Sequence, residues 1–446
     1  MLGILYYLFW LGLCLYFIYK HPVFRCVKSN VTYLPVFLIK LLFSYLLIWY
    51  YRDYLDFGDT ADLFIYYNDS LLVNNCNYIG LVEKLKIALN ITSNQDSQTI
   101  LKSIGYWERE FDYGFYNDNK TMIRLNILMN FISNQNYYIN TLFFVFIAFI
   151  GERLLIKTMI TESNWFNKYT PLLHLLPSVL FFCSGMTKEA FLIGGLGISF
   201  YTIKTIKPIS LKKIGYLIIG IFILTHIKIH FSIVIFFTLI IFSCSSLFNK
   251  RSKLAGLKIT YASILVISIL IIISTLIHYK QKHTEKDEIK YGHVIDPIQM
   301  IQFKQDDFFY EMEKQRPNSI LQLKKSEDIS SFGIAIGQGL LNALFQPTPN
   351  QLLKKECLPF ALENFTKLLF IFIYFFFNKK KKTENNHFIT LFTLYFCAIS
   401  YLIIGFISPV LGNLVKFRAP LDFIVICIFV AKLNPSNFRK LSPQND

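Results

Sequence analysis

Charge is scarce in this 446-residue chain: Asp, Glu, Lys and Arg make up 17% of it, against 54% hydrophobic residues. That balance excludes most soluble globular readings. The signatures of soluble enzymes are missing too, with no P-loop, no GxGxxG leading out of a strand, no HExxH and no GxSxG elbow. The eight cysteines form no CxxC pair and no metal-ligand spacing, so neither a zinc site nor a disulfide framework is expected. Cys76 and Cys357 are the only two expected at an outer face, where oxidation is chemically open. There is no internal repeat and no long Gly/Ser linker, so 1–446 reads as a single integral membrane domain. The first apolar segment has no small-residue cleavage site and is followed by Lys20, Arg25 and Lys28, which reads as a retained anchor.

What the chain has is a succession of apolar runs near the length that spans a bilayer, about 18 residues. Eleven segments are expected to cross: 2–19, 33–51, 139–156, 170–183, 190–206, 214–227, 231–248, 259–277, 359–377, 388–408 and 418–432, several of them short or tilted. The expected fold is therefore an all-α polytopic membrane protein with two long extracytoplasmic insertions, 52–138 and 278–357. The connectors 20–30, 152–169, 204–213, 249–258, 378–387 and 432–446 hold 21 Lys and Arg against four acids. Residues 52–138 carry eleven acids and seven bases, and 278–357 carry eleven of each. Basic loops stay cytoplasmic, which places the N-terminus outside, the C-terminus inside and the Lys379–Lys382 run at a cytoplasmic stop. The net charge of +16 is thus an orientation signal that also favours anionic lipid headgroups. Nucleic-acid binding would need a basic folded face with stacking aromatics, and none is visible.

With that topology, polar residues that do not belong in a bilayer converge on the outer side. Asp53, Asp56, Asp59 and Asp62 follow the second span. Lys188 and Glu189 sit at the tip of one hairpin, and His226, Lys228 and His230 at the tip of another. Lys416 and Arg418 precede the last span. Ionisable groups at membrane depth are costly and face a cavity or a partner. Gly58-Asp59 reads as a turn into a helix, with Asp62 and Tyr66 on one face of it. Such a carboxylate could serve as general base toward a hydroxyl or ligate a divalent cation, or it could simply cap a helix. Lys188, Lys228 and Arg418 could bind phosphate, Arg as a planar fork and Lys as a point charge; Asp422, four residues after Arg418, could orient it or merely neutralise it, and local ion pairing or snorkelling is the bland alternative for the lysines. His226 and His230 alone would not complete a usual zinc site. Within spans, Lys40 is explained by snorkelling, and Lys367 has no named partner. Gly333, Gly337 and Gly339 make 331–357 a re-entrant or interfacial helix ending near Pro347 and Pro349.

The order of Gly58-Asp59-Thr60 ahead of Tyr66, LPSVLFFCSGMTKEAF at 176–191, LFQPTPN at 344–350 and KFRAP at 416–420 resembles bacterial polytopic proteins associated with cell-envelope glycan assembly. The plan is similar to GT-C glycosyltransferases and O-antigen-polymerase-type proteins. That resemblance implies a GT-C-like architecture in a bacterial plasma membrane and a polyprenyl-linked sugar or glycan as donor. It implies an acid serving the acceptor, here Asp59 with Asp62, and cations holding the donor phosphate, here Lys188, Lys228 and Arg418. Glu189, His226, His230 and Asp56 would support them. In many GT-C enzymes the acid follows the first span, whereas Asp59 follows the second, which implies an added N-terminal helix if the assignment holds. No cofactor is required by this reading, and a divalent cation would be compatible with it. A transporter or flippase for the same lipid-linked material is the alternative.

Overall fold

The computed structural model describes residues 2–25, 33–55, 58, 61–91, 95–107, 118–160, 165–248, 305–310, 312–313, 319–325, 329–348, 357–377 and 387–432. The expected span 259–277, most of the second insertion, the Lys379–Lys382 run, Asp56 and Asp59 lie outside the described residues. No strand occurs among the described residues; there is only an isolated antiparallel bridge between Ile320 and Val410.

Helix α1 (Leu2–Lys20) leads through a 3-10 turn, Pro22–Phe24, toward α2 (Tyr33–Trp49), which a π turn over Tyr50–Tyr54 extends. The first insertion folds into α3 (Asp62–Asn74), α4 (Leu81–Leu89), α5 (Gln95–Ser103) and α6 (Asp118–Ser133). Next come α7 (Tyr137–Met159), a 3-10 segment Trp165–Leu175, the short α8 (Pro177–Phe182) and α9 (Lys188–Thr205). The chain continues as α10 (Leu211–Ile227), α11 (Ile229–Phe248), α12 (Ile329–Phe345), α13 (Leu358–Phe377), α14 (His387–Ile407) and α15 (Leu411–Lys432). Among the described residues, four helices are long and apolar enough to cross a membrane: Gly3–Lys20, Tyr33–Tyr54, Tyr137–Met159 and Phe388–Ile407.

One expected span is not a single helix. Residues 170–183 run as 3-10 helix to Leu175 and restart as α8 at Pro177. Pro171 and Pro177 supply no backbone N–H, and a residue before Pro is pushed out of the helical region. Leu176, at φ −58° and ψ 131°, shows that displacement.

Small residues set two of the closest helix crossings. A Cβ on Gly197 of α9 would stand 2.6 Å from the Cα of Gly151 on α7, and one on Gly405 of α14 would stand 2.5 Å from the carbonyl carbon of Gly339 on α12. Only glycine permits those approaches, the small-residue packing that lets helices associate where lipid supplies no hydrophobic drive. A polar ladder ties the first insertion to the bundle. Asn130 of α6 donates to Ser70 and Asn74 of α3, both at 2.9 Å, while Asn140 of α7 donates to Asn130 at 2.7 Å and to Asn126 at 3.3 Å. These amides are buried, and such partnered groups specify one packing over its competitors.

Candidate functional site

We call the end at which α2 and α14 finish, and α7, α13 and α15 begin, the upper end; it is the end the charge pattern assigns to the outside. Three groups of ionisable side chains occur at different depths below it.

The upper group is assembled from α3, α6, α9, the α10–α11 turn and α15. Thr187, in extended conformation, starts α9, so Lys188 and Glu189 occupy its first turn. Lys188 Nζ lies 2.7 Å from Asp118 Oδ2 and donates to Asn119 Oδ1 at 2.7 Å, 5.3 Å from the centre of the Tyr66 ring. Tyr66 donates to the same amide oxygen at 3.0 Å. Lys228 caps α10, reaches Glu189 Oε1 at 3.2 Å and sits 3.6 Å over the Phe417 ring. Lys416 meets Asp62 Oδ2 at 3.0 Å. The three pairs are one electrostatic unit: Asp62 also feels Lys188 and Asp118, and Lys228 also feels Lys416 and Asp118.

Exposure is graded across this group. The Asp62 side chain is 50% exposed and that of Glu189 is 0% exposed. Lys416 holds the Asp62 carboxyl below the usual carboxylate range, which makes Asp62 a weak proton acceptor. Burial pulls the Lys228 ammonium down, and Glu189 counters that. Glu189 Oε2, beside the oxygen that meets Lys228, is buried without a hydrogen-bond partner. Three ammonium groups face three carboxylates, so an incoming phosphate must displace a carboxylate from a Lys to be held there.

Arg418 is not part of this group. It follows Lys416 by two residues on α15, only about 3 Å further down but about 200° around the helix, so it faces the other side. Its Nε is 2.9 Å from Asp422 Oδ2, and its Nη1 donates to the Ala343 carbonyl at 2.8 Å, near the C-terminus of α12. A cation at that end meets the negative pole of the helix. Lys367 donates to Asp422 Oδ1 at 2.9 Å and Tyr401 to the same oxygen at 2.6 Å. Lys367, whose partner was not legible, therefore belongs to Asp422. One turn above Lys367 on α13, Glu363 accepts from both the backbone N–H and the hydroxyl of Ser178, each at 2.6 Å, satisfying a donor freed where the chain breaks before α8.

The lower group corrects the reading of Lys40. Its side chain is fully buried rather than extended to the headgroups, 2.6 Å from Glu152 Oε1 and donating to the Val179 carbonyl at 3.3 Å. His174 Nδ1 lies 2.7 Å from Glu152 Oε2. Lys40 stands seven residues above Tyr33 and Glu152 seven above Met159, too deep to reach water cheaply once a carboxylate is at hand.

The remaining candidates disperse. His226 donates from Nδ1 to its own helix at Phe222 and lies tilted against that ring at 4.0 Å, and His230 lies against Phe231 at 4.5 Å. Among the described residues, no group of three or more His, Cys, Asp or Glu could hold a metal ion. Cys76 is a buried thiol outside any disulfide. An open groove of about 310 Å³ between α3 and α5, lined by Leu71, Asn75, Cys76, Tyr78 and Ile100 among others, lies away from all three groups.

So five expected residues, Asp62, Lys188, Glu189, Lys228 and Lys416, come together; Arg418, His226 and His230 do not join them, and Asp56 and Asp59 lie outside the described residues. Sequence reasoning missed Asp118 and Asn119 in the upper group, and Glu152, His174 and Glu363 as deep partners; the i,i+4 spacing made Asp422 legible as the partner of Arg418, though not of Lys367 and Tyr401. An acid within an apolar run, as at Glu152 and Glu363, was the available signal. No family model, no curated protein and no solved structure matches the chain.

Proposed function

We propose that the protein is a membrane-embedded glycosyltransferase or polysaccharide polymerase that takes sugar or glycan from a polyprenyl-phosphate-linked donor at the outer face of a bacterial plasma membrane. In this reading the eleven apolar segments cross the bilayer in a GT-C-like arrangement, with the N-terminus outside and the C-terminus in the cytoplasm. The observation that carries it is the convergence of Lys188, Lys228 and Lys416 with Asp62, Asp118 and Glu189 at the upper end.

The chemistry follows from that set. The donor phosphate takes the place of a carboxylate on Lys188 or Lys228, and the cation stabilises the charge that develops on the leaving oxygen. An acceptor hydroxyl attacks the anomeric carbon, the bond from that carbon to the phosphate oxygen breaks, and its electron pair stays on the phosphate. The hydroxyl proton passes to a carboxylate. Asp59 is the base in this scheme, because Lys416 holds Asp62 as a weak one; Asp62 orients the acceptor instead. Attack opposite the leaving group inverts the anomeric centre.

One observation favours the second reading, a flippase for the same lipid-linked material: the break at 176–177 is held by Glu363 and Lys40, charged groups well below the upper end. Broken helices near the membrane midplane are a transporter feature. The size profile of lipid-linked and surface glycans in a deletion strain separates the two. Loss of long chains or of one sugar, restored by the wild type and not by Asp59→Asn, supports transfer. Full restoration by Asp59→Asn removes the proposed base.

A further inference from the structure

We infer that α4 lies in the membrane surface at the upper end of the bundle, its outward face set among the lipid headgroups and the first methylenes below them. The amphipathicity of this helix is inverted relative to a water-exposed one. Leu81, Val82, Leu85 and Leu89 are 36–64% exposed, and at 100° per residue they share an arc of about 100°. The inward side holds Ile87 and Ala88, together with Lys84, which turns in to donate to the Asn74 carbonyl at 2.6 Å. Lys86 borders the apolar arc and pairs with Glu83 at 2.7 Å. Ile91 and Tyr78 flank the helix at either end, 66% and 68% exposed.

The placement of α4 carries the choice of occupant. Asn90, in left-handed conformation at φ 61°, ends the helix and accepts from Arg124 of α6 at 2.6 Å. Arg124 lies 4.9 Å over the Trp107 ring and acts electrostatically on His226, in the last turn of α10. Along α10, Tyr216, Ile219 and Phe222 point outward, 47–51% exposed. The exposed apolar residues of α10 therefore run up toward its last turn, and α6 packs against both α10 and α4 there. A helix that presents leucines outward beside such a surface, with a tyrosine at its edge, has the character of an interfacial helix whose apolar face sinks about 5–10 Å into the headgroup boundary. A second copy of the chain is a poorer match: nine residues span about 13 Å, and a stable protein interface takes about 20–30 residues a side.

The test uses the full chain in liposomes. Leu85→Cys and Val82→Cys on α4, and Gln98→Cys on the exposed side of α5, are each labelled with an environment-sensitive fluorophore, with the unsubstituted protein labelled in parallel as background. The expected result is blue-shifted emission at positions 85 and 82, with at least twofold quenching by lipids spin-labelled near the headgroup, and neither effect at position 98. Water-like emission with no lipid quenching at both α4 positions would overturn the inference. So would emission at 85 and 82 that changes only with protein density in the bilayer, which would assign the face to a second copy. Neither result bears on the transferase reading, because α4 contributes no residue to the ionic groups.

Discussion

Replacing Asp422 by Asn tests the deep charge pairing most sharply, because one carboxylate serves three partners. Its Oδ1 takes Lys367 at 2.9 Å and Tyr401 at 2.6 Å, and its Oδ2 lies 2.9 Å from Arg418 Nε. Both cationic side chains are 1% exposed. Asn keeps the shape and a carbonyl for one donor but takes from two buried cations the carboxylate that touches both, leaving only the more distant Glu363 as a counter-charge. Removing one member of a buried pair costs about 3–5 kcal/mol, a large share of the roughly 5–15 kcal/mol that holds a typical domain together. The opposite change is much milder. Lys367→Met leaves Asp422 with Arg418 and Tyr401, so it costs about 1 kcal/mol, near the value of one hydrogen bond. The asymmetry is read from the unfolding midpoint of each purified variant in mixed micelles titrated with a denaturing detergent. Asp422→Asn should fall far below wild type and Lys367→Met close to it, with the double variant recovering part of the loss. Equal, small effects of the two single changes, under about 1 kcal/mol, would mean that these cations are not paired through Asp422 in the membrane.

Three further outcomes are expected. Gly197→Ala places a methyl against the Gly151 backbone and should lower stability by about 1–3 kcal/mol, whereas Gly333→Ala, with nothing within 4 Å of the new Cβ, should be neutral or slightly stabilising; equal midpoints would reject the close crossing. Asp62 is depressed in the folded state, so its contribution is present above its unfolded pKa of about 3.9 and disappears as pH falls through the folded value. Lys416→Met removes the main cause, so its stability deficit should be under about 1 kcal/mol at pH 7, given a half-exposed partner, and smaller still at pH 3; a deficit that grows on acidification would refute the pairing. Lys188→Met should abolish glycan assembly in cells at normal protein level, and full complementation would take Lys188 out of the donor site.

Much of the helix pattern was legible because apolar runs and basic connectors report membrane segments directly. Helices α9, α10, α11, α13 and α14 overlie expected spans to within a few residues. The break at Leu176-Pro177 was hidden because hydropathy averages over a window and does not register two missing N–H donors. Lys188, Glu189, Lys228 and Asp62 were found by a different logic: charged residues at helix ends expected on one side must share space there. Their pairings were not legible, because Asp62–Lys416 joins residues 354 positions apart and sequence carries no distance. Arg418 was placed with Lys416 for a related reason. Polar Asn413 and Lys416 lower the hydropathy without ending the helix, which begins at Leu411, and on a helix two residues turn Arg418 about 200° away from Lys416. Glu152 was counted among the connector residues, yet it lies on α7 and neutralises Lys40 inside the bundle.

The central claim, transfer from a polyprenyl-linked donor at the upper ionic group, is tested most directly by reconstitution. Purified protein in liposomes is given a polyprenyl-diphosphate-linked glycan and a glycan acceptor, and lengthened product and released polyprenyl diphosphate are measured together. The account predicts that both form in equal amounts with the wild type and that neither forms with Lys188→Met or Asp59→Asn. Movement of the donor between leaflets without lengthened product, or undiminished product from both variants, would contradict it.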